Sequence, residues 1–412
     1  MASASQRLSA VAMATAALVA ACTGSGGEPE ATVATTTTEP AQPRVDDGVL
    51  RIGALIPVNN PTVGATLQTS FEAAIEGVNE AGGVLGRDVE FVVQDEGSTS
   101  ATAADAAQQL VAARVDAIVG PTSSNTAIAA LDTTVEAGIL TCSATATAIS
   151  LDDYPDGELF FRSIAGDSLQ ARAIANLAGR RGATSVAILH VDDAYGRPYA
   201  NAVTEALAER SSSIGVFTVA VPVGDDDLSD DLSAFASADV GVVLGNGDSI
   251  ARFLESIGQR DDVDVDPIIV NDAARSASSR PVIAGLDPEL RNRIIGVTPR
   301  IVLPENVSPD DIPFASQVTD CVNLIALSAE QGGTDDPEVV ASQMSSVSAG
   351  GDTCRSFAEC VELLDNDTQI NYDGPTRITV LARDGDTSRA FFDQFIFQPD
   401  GSDVLDDGVA VG

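Results

Sequence analysis

The sequence predicts an α/β fold in two domains, and two observations carry this prediction. From residue 48 onward, short β-rich runs alternate with amphipathic stretches, which is typical of βαβ units with parallel sheets and helices on both faces. About 365 residues follow the first 47, too many for one ordinary hydrophobic core and enough for two. Ligands of such folds bind beyond the carboxyl ends of the strands, so functional residues are expected in the loops that follow them.

Apolar periodicity places the elements along the chain. The spacing of Phe71, Ile75 and Val78 predicts a first helix that ends at Gly82-Gly83, and a second helix is predicted over Thr102–Arg114. The predicted strands are Leu50–Ile56, Val89–Gln94, Val115–Gly120, Ile139–Cys142, Val186–His190, Gly215–Val221, Val240–Gly245 and Pro267–Val270.

The first 21 residues read as a secretory signal peptide. Arg7 precedes an apolar run, Leu8–Ala21, that is too short to span a bilayer stably. Its last residues and the next one, Val19-Ala20-Ala21-Cys22, resemble the bacterial lipobox, in which the cysteine becomes the lipid-modified N-terminus. The alternative is an ordinary signal cut near Ala21, with Cys22 incidental. The lipobox interpretation places the protein outside the cell, anchored by lipid to the outer face of the bacterial membrane.

A spacer follows Cys22. Residues 22–47 are rich in Thr, Gly, Pro, Glu and Ala and carry almost no large apolar side chains, so they are expected to be a solvated tether. No later segment reaches about 18 uncharged apolar residues, so the only predicted membrane contact is the lipid.

The charge is strongly negative, with 61 acidic residues against 22 basic ones, all of them Arg. A large negative field disfavours nucleic acid and anionic lipid headgroups as partners.

Six segments, in order and at plausible spacing, resemble one family. They are Asn79-Glu80-Ala81-Gly82-Gly83-Val84-Leu85-Gly86-Arg87, Val119-Gly120-Pro121-Thr122-Ser123-Ser124, Ser143–Thr147, Phe160-Phe161-Arg162 with Asp167 and Gln170, Asp193-Ala194-Tyr195-Gly196, and Tyr372-Asp373-Gly374-Pro375. Together they are similar to the extracytoplasmic Leu/Ile/Val-binding proteins of ABC transporters, which have the type I periplasmic-binding-protein fold.

This resemblance implies two doubly wound parallel-sheet lobes joined by three crossover strands, with the ligand clamped between them. The crossovers are expected near Ser163, Thr298 and Arg389. The first lobe would then comprise residues 48–163 and 299–388, and the second residues 164–298 and 389–412.

Residue types at the predicted cleft suit a zwitterionic ligand. In the first lobe, Ser123 and Ser124 open a helix, where free N–H groups and the helix dipole favour an anion. Thr145, Ala146 and Thr147 follow a strand and offer backbone groups and a hydroxyl. Helix capping is the alternative role of these Ser and Thr residues.

In the second lobe, the resemblance implies that Tyr195 lays its ring on the ligand and that Asp272 pairs with its ammonium. A solvated surface position is the alternative for Asp272. Asn246 stands where the family has an aromatic residue lining the cleft, and Val63 where it often has a ring over the ligand. These departures leave a ligand other than leucine, isoleucine or valine open.

Four cysteines remain after Cys22, which allows three pairings in an oxidising compartment. Cys354 and Cys360 enclose a short loop that an exposed bridge would staple. That leaves Cys142 and Cys321, both assigned to the first lobe, as a second pair.

Neither metal binding nor catalysis is favoured. The acidic alternation over residues 262–266 fails as a calcium loop because Pro267 stands at its sixth position and Ala273 at its twelfth. Gly166-Asp167-Ser168-Leu169 spells a lipase-esterase nucleophile block, but the single histidine, His190, is not placed in the motif that family requires.

The sequence thus predicts a monomeric solute-binding lipoprotein without a cofactor that delivers an amino-acid-like molecule to an ABC permease. The alternative is a sensor of the same fold that reports ligand occupancy to a signalling partner without transport.

Overall fold

The computed structural model describes residues 46–61, 63–225, 227–300, 314–377, 381–382 and 385–411, all of which belong to one compact unit, Arg44–Gly412. Cys22 and most of the predicted tether lie outside the described residues. Among the helices of the described residues, none is both long and apolar enough to cross a membrane.

The first half of the chain builds a five-stranded parallel sheet of order β2-β1-β3-β4-β5. Its short strands consist mostly of buried residues, except for β2 at the edge, and helices pack on both faces. The elements are β1 (Arg51–Ile56), α1 (Gly64–Glu80), β2 (Glu90–Asp95), α2 (Ser100–Ala112), β3 (Ala117–Val119), α3 (Ser124–Glu136), β4 (Leu140–Ser143) and β5 (Phe160–Arg162).

The middle of the chain forms most of a second sheet. Its strands β7, β6, β8, β9 and β10 pair in parallel in that order. The elements are α4 (Asp167–Arg180), β6 (Ser185–Val191), α5 (Gly196–Arg210), β7 (Gly215–Val221), α6 (Ser229–Phe235), β8 (Val240–Leu244), α7 (Gly247–Gly258), β9 (Ile268–Val270), α8 (Ser279–Gly285), α9 (Pro288–Arg293) and β10 (Ile294–Pro299).

The last part of the chain adds helices and a separate two-stranded sheet to the core of the first sheet, and two strands to the second sheet. The nearly fully buried helix α10 (Ala315–Gly332) packs into the core of the five-stranded sheet, together with α11 (Pro337–Val347), β11 (Asp352–Cys354), α12 (Phe357–Leu364) and β12 (Ile370–Tyr372). The strands β13 (Ala390–Phe397) and β14 (Asp403–Val411) then add to β10 in antiparallel fashion. The second sheet therefore has seven strands and is mixed rather than wholly parallel, because a hairpin supplies its last two strands.

The two sheets have separate hydrophobic cores. One core combines buried residues between 50 and 161 with others between 318 and 381, whereas the clusters on either face of the seven-stranded sheet draw on residues 165–297 and 390–397. We call the residues around the five-stranded sheet the first lobe and those around the seven-stranded sheet the second lobe. The chain passes between the sheets after β5, after β10 and before β13, next to Ser163, Thr298 and Arg389. The residue boundaries assigned to the lobes stay a prediction.

Both predicted disulfides are present, Cys142–Cys321 and Cys354–Cys360. The first joins β4 to α10 and so ties together the two chain segments of the first-lobe core. The second is not the exposed bridge that was expected: both of its cysteines are fully buried, because Cys354 and Cys360 belong to the hydrophobic core of the first lobe.

The α/β fold class is confirmed, and the predicted strands agree with the observed ones within two residues at each end. Short strands of buried apolar residues between turn residues were sufficient to locate them.

Candidate functional site

The candidate site lies where strands of both sheets end. The loops after β3, β4 and β5 belong to the first sheet, and the loops after β6, β8 and β9 belong to the second. Residues from both sets line one cavity of about 240 Å³, among them Ser123 and Ser124 on one side and Tyr195, Asn246 and Ala273 on the other.

The first-lobe wall is built from hydroxyl groups that hold neighbouring loops together. The Ser124 Oγ accepts hydrogen bonds from the backbone N–H groups of Thr147 and Ala148, both at 3.2 Å. The Thr145 hydroxyl donates to the carbonyl of Thr122 at 2.5 Å. These bonds fix the loop after β4 against the start of α3, and the fully buried Ala146 lies between the two Thr residues.

Helix capping does not account for the serines of this wall. Ser123 is the N-cap residue of α3, yet its side chain makes no capping hydrogen bond, and the Ser124 side chain bonds to another loop instead. In the first turn of α3 the Thr126 N–H already donates to the Ser123 carbonyl at 3.0 Å. The N–H groups of Ser124 and Asn125 are therefore the ones at this helix start that suit an anion at the cleft.

Glu96, which follows β2, bonds to the loop between β3 and α3. Its carboxylate accepts the Thr122 N–H at 2.8 Å and the Thr122 hydroxyl, and it also interacts with the backbone of Ser123. Burial raises the pKa of Glu96 to about 7 despite these bonds. A ligand carboxylate is therefore left with the groups from Ser124 onward and not with the Thr122 amide.

Two buried carboxyl groups lie behind the second-lobe side of the central cavity, and neither is among the residues that line it. Asp167, the first residue of α4, is 3% exposed, and its Oδ2 is buried without a hydrogen-bond partner. Burial, and then the charge of Asp272, raises the pKa of Asp167 well above its usual range, although the hydroxyls of Thr147 and Tyr195 act against this. A buried carboxyl with one oxygen left without a hydrogen bond is costly, so this position is suited to a cation.

Asp272 begins a short 3₁₀ helix, Asp272–Arg275, just after β9. Its Oδ1 accepts a hydrogen bond from the Gln170 Nε2 at 3.0 Å, and the same amide nitrogen donates to the Val297 carbonyl at 2.9 Å. Burial raises the pKa of Asp272, whereas the Gln170 bond and the nearby Arg275 lower it. Gln170 thus connects Asp272 to α4, which also carries Asp167.

Tyr195 and Asn246 complete this wall. The Tyr195 ring packs edge-on against Tyr199, with ring centroids 5.9 Å apart, and its pKa is raised well above the usual value, chiefly by burial. Asn246 is exposed and caps α7 by accepting the Ser249 N–H at 2.9 Å. Asn246 therefore borders the cavity while serving as a helix cap.

The predicted residues take different places around the cleft. Ser123, Ser124, Tyr195 and Asn246 line the central cavity, and Thr145 lines a second cavity of about 370 Å³ that also touches Ser123. Thr147 and Asp272 lie beside Asp167. Which of these residues contact a ligand stays a prediction.

The cleft is acidic. Among the described residues that line its two cavities, or the adjoining cavity of about 340 Å³ next to Tyr195, none is an Arg. Arg275, whose charge lowers the pKa of Asp272, is paired with Asp403 at 3.0 Å.

Arg162, at the end of β5, links two segments of the chain next to the site. It is 1% exposed, pairs with Asp386 and Asp152 at 2.5 Å each, and donates to the Ala148 carbonyl at 3.3 Å. One guanidinium thereby connects the loop after β4 with the segment that leads into β13.

Other features of the sequence have structural roles. The buried His190 ring bonds through Nδ1 to the Val191 carbonyl at 2.8 Å. Within the described part of the chain, no group of three or more His, Cys, Asp or Glu side chains is arranged to hold a metal ion.

Residues 49–276 match the family model described as periplasmic binding protein. The chain belongs to the periplasmic binding protein family. Members of this family are solute-binding proteins and not enzymes, so the prediction that the chain is not a catalyst is confirmed. The family also implies an extracytoplasmic location.

The chain is similar to two curated relatives and to one solved structure of a binding protein. The substrate-binding protein BasB of a chemotactic signal transduction system from Halobacterium salinarum is 30% identical, covering 79% of this chain and 81% of its own. A leucine-, isoleucine-, valine-, threonine- and alanine-binding protein from Pseudomonas aeruginosa is 30% identical over 48% of this chain and 53% of its own.

The crystal structure of the branched-chain amino acid transporter substrate-binding protein LivJ from Streptococcus pneumoniae, in complex with isoleucine, has the same fold. Its TM-score is 0.64 at 20% identity, covering 88% of this chain and 99% of that protein. The predicted resemblance to the Leu/Ile/Val-binding proteins is confirmed.

Sequence reasoning missed two acidic residues of the periplasmic binding protein cleft. Asp167 belongs to one of the motifs that carry the resemblance, but the sequence analysis assigned it no role. A carboxyl at the first position of a helix that follows a strand indicates a candidate site residue. Glu96 directly follows a strand of the first sheet, which is the same kind of signal.

Proposed function

We propose that this protein captures an α-amino acid between its two lobes and delivers it to an ABC permease. The observation that carries the proposal is the buried, unpartnered Oδ2 of Asp167 beside Asp272. Two acids with raised pKa values are suited to an ammonium group, because a cation lowers the cost of ionising them.

The opposite wall supports the other half of the ligand. The uncapped first turn of α3 and the Ser124 hydroxyl offer donors for a carboxylate. A ligand that carries both groups on one carbon would span the cleft, with its ammonium towards the second lobe. The expected contacts are Ser123, Ser124, Thr145, Ala146, Thr147, Tyr195, Asn246, Asp272 and, in addition, Asp167.

The N-terminal sequence, and not the cleft, indicates where in the cell the protein acts. We propose that Cys22 is lipid-modified and that this lipid holds a monomeric protein at the outer face of the membrane. Replacing Cys22 with Ser should release the exported protein from the membrane fraction with its fold unchanged. Retention on the membrane after a high-salt wash would refute the anchor.

The ligand class is tested with matched small molecules. Leucine, its des-amino analogue 4-methylpentanoate and leucine amide should be compared by thermal shift and calorimetry, because a ligand of the native state raises the melting temperature. We expect leucine to bind and the des-amino analogue to bind at least about thirtyfold more weakly, as for a lost partner of a buried charge. Equal binding of both acids would refute the ammonium site.

A second candidate function is sensing without transport, because the relative BasB is named as part of a chemotactic signalling system. Reconstitution with candidate permeases separates the two functions. Ligand-stimulated ATP hydrolysis by a permease would support transport, whereas a ligand-dependent complex with a receptor, without such hydrolysis, would support sensing.

A further inference from the structure

A small cavity lies where the chain passes between the two sheets, and among the described residues it shares no lining residue with the cavities of the cleft. We call it the crossover cavity, because residues next to all three crossovers line it. They are Ile164 and Ala165 at the first, Pro299 and Arg300 at the second, and Arg389, Ala390 and Phe391 at the third. Its volume is about 20 Å³, which is room for one water-sized group.

The crossover cavity is basic in a protein that is strongly acidic. Arg300, Arg377 and Arg389 all line it, and no Asp or Glu does so in the part of the chain that the structure describes. The whole chain has 22 basic residues against 61 acidic ones, so three guanidinium groups at one small cavity depart from its general composition. A concentration of positive charge of this kind suits an anion.

Two of these arginines are held in place by carboxylates, and the third is not. Arg300 pairs with Asp393 at 2.5 Å, and Arg377 pairs with Asp373 at 2.5 Å. Each guanidinium has five N–H donors, so one carboxylate partner leaves donors for a ligand. Arg389 is exposed and forms no ion pair with the described residues. One positive charge at the cavity is therefore unbalanced, and one monovalent anion would balance it.

A buried amide group completes the lining of the crossover cavity. Gln317 lies in the first turn of α10 and is 5% exposed, and its Oε1 has no hydrogen-bond partner among the described residues. Because no hydrogen bond holds this oxygen, a half-turn of the amide would place the Nε2 donors where Oε1 lies. The start of α10 has no side-chain cap, and the helix dipole there favours a negative charge. Gln317 is thus placed to donate to an anion.

We propose that the crossover cavity binds one small monovalent anion of about the size of chloride. Arg389 would neutralise the anion, and Arg300, Arg377 and Gln317 would add charged and amide N–H donors. Since Arg300 and Arg389 belong to different crossovers, a bound anion would fasten these segments to one another. The site uses none of the residues of the proposed amino-acid site, so the two proposals can fail separately.

The test compares sodium chloride with sodium gluconate at constant ionic strength, because gluconate is too large for the cavity. Binding is measured by the width of the chlorine NMR signal, and stabilisation by the melting temperature. Wild type should broaden the signal and melt about 2 °C higher in chloride near ten times its Kd. Arg389→Gln should lose both effects. Arg172→Gln, at an exposed position of α4, is the matched control and should keep both.

Gln317→Glu provides a second variant. It places a carboxylate at the cavity, where it would take the role of the anion. The chloride effects should then be lost, while the melting temperature in gluconate stays at or above that of wild type. If Gln317→Glu does not fold by circular dichroism, Arg389→Gln alone decides.

Three results would overturn the proposal. They are a lack of excess signal broadening by wild type, equal broadening by Arg389→Gln, and stabilisation by sulfate that equals stabilisation by chloride. Sulfate is too large for a cavity of about 20 Å³, so an equal effect would be a general effect of salt.

Discussion

The two walls of the cleft differ in chemistry although both stand at the ends of parallel strands. The first-lobe wall presents hydroxyl and backbone groups, and Glu96, the only carboxyl among the described residues that line its cavity of about 370 Å³, is bonded to Thr122. Behind the second-lobe wall lie the buried Asp167 and Asp272, and one oxygen of Asp167 has no hydrogen-bond partner. The difference gives the cleft a polarity: a zwitterion has one favourable orientation, with its cation towards the second lobe.

The largest expected effect is on the acidic wall. Asp167→Asn keeps the shape of the side chain and removes its charge, so affinity for an α-amino acid should fall by about 2–5 kcal/mol, roughly thirtyfold or more in Kd. Asp272→Asn is expected in the same range. Calorimetry measures both, with Asp248→Asn on the exposed first turn of α7 as the control. If both variants bound within a factor of two of wild type, neither Asp167 nor Asp272 would hold the ligand ammonium.

The lobes should also differ in how they depend on disulfides, because both bridges lie in the first lobe. Replacing Cys142 and Cys321 with Ser should cost roughly 2–5 kcal/mol of unfolding free energy, since this bridge closes a long loop. The matched double variant, Cys354→Ser with Cys360→Ser, removes a bridge that closes only a short loop. It should therefore cost less unfolding free energy. Calorimetric melting should show the first lobe unfolding earlier in the first double variant; equal losses in the two would contradict the loop-length argument.

The hydroxyl wall should matter less than the acidic wall. Ser124→Ala removes the acceptor of two loop N–H groups and one ligand donor, so affinity should fall by roughly 1–3 kcal/mol, less than for Asp167→Asn. Ser212→Ala, in the exposed loop between α5 and β7, serves as the control and should be silent. A Ser124→Ala loss that exceeds the Asp167→Asn loss would reverse the assigned polarity.

The smallest expected effect is a coupling between ligand and proton binding. The pKa of Asp167 is raised in the empty cleft, mainly by burial, and a bound ammonium would lower it. Ligand binding should therefore release part of a proton, and affinity should increase with pH between the bound and the free pKa and then level off. Calorimetry in buffers of different ionisation enthalpy measures this release. Asp167→Asn should release fewer protons on ligand binding than wild type. Uptake of protons by wild type would contradict the predicted lowering of the Asp167 pKa by the ligand.

The sequence was sufficient for β1 to β4 and β6 to β9 and for most of the cleft loops, because buried apolar runs locate strands and parallel strands place their following loops at one edge. It did not locate β5 or β10 to β14 as strands. It was not sufficient for Asp167, whose role depends on α4 lying beside the 3₁₀ turn after β9, more than one hundred residues later. Glu96 was missed for the same reason, since its partner Thr122 lies on another strand end. The cavity of about 370 Å³, next to Val63, needed Phe314, which only the tertiary packing brings there.

The bridge between Cys142 and Cys321 has a consequence for how the molecule is made. The two cysteines are 179 residues apart, and β6 to β10 of the other sheet lie entirely between them. Most of the second lobe is in effect an insertion within the first, and only β13 and β14 follow the first-lobe elements. A chain that emerges outside the cell from its N-terminus therefore exposes all five strands of the first sheet before α10. The apolar face that α10 covers stays open until the inserted strands have followed.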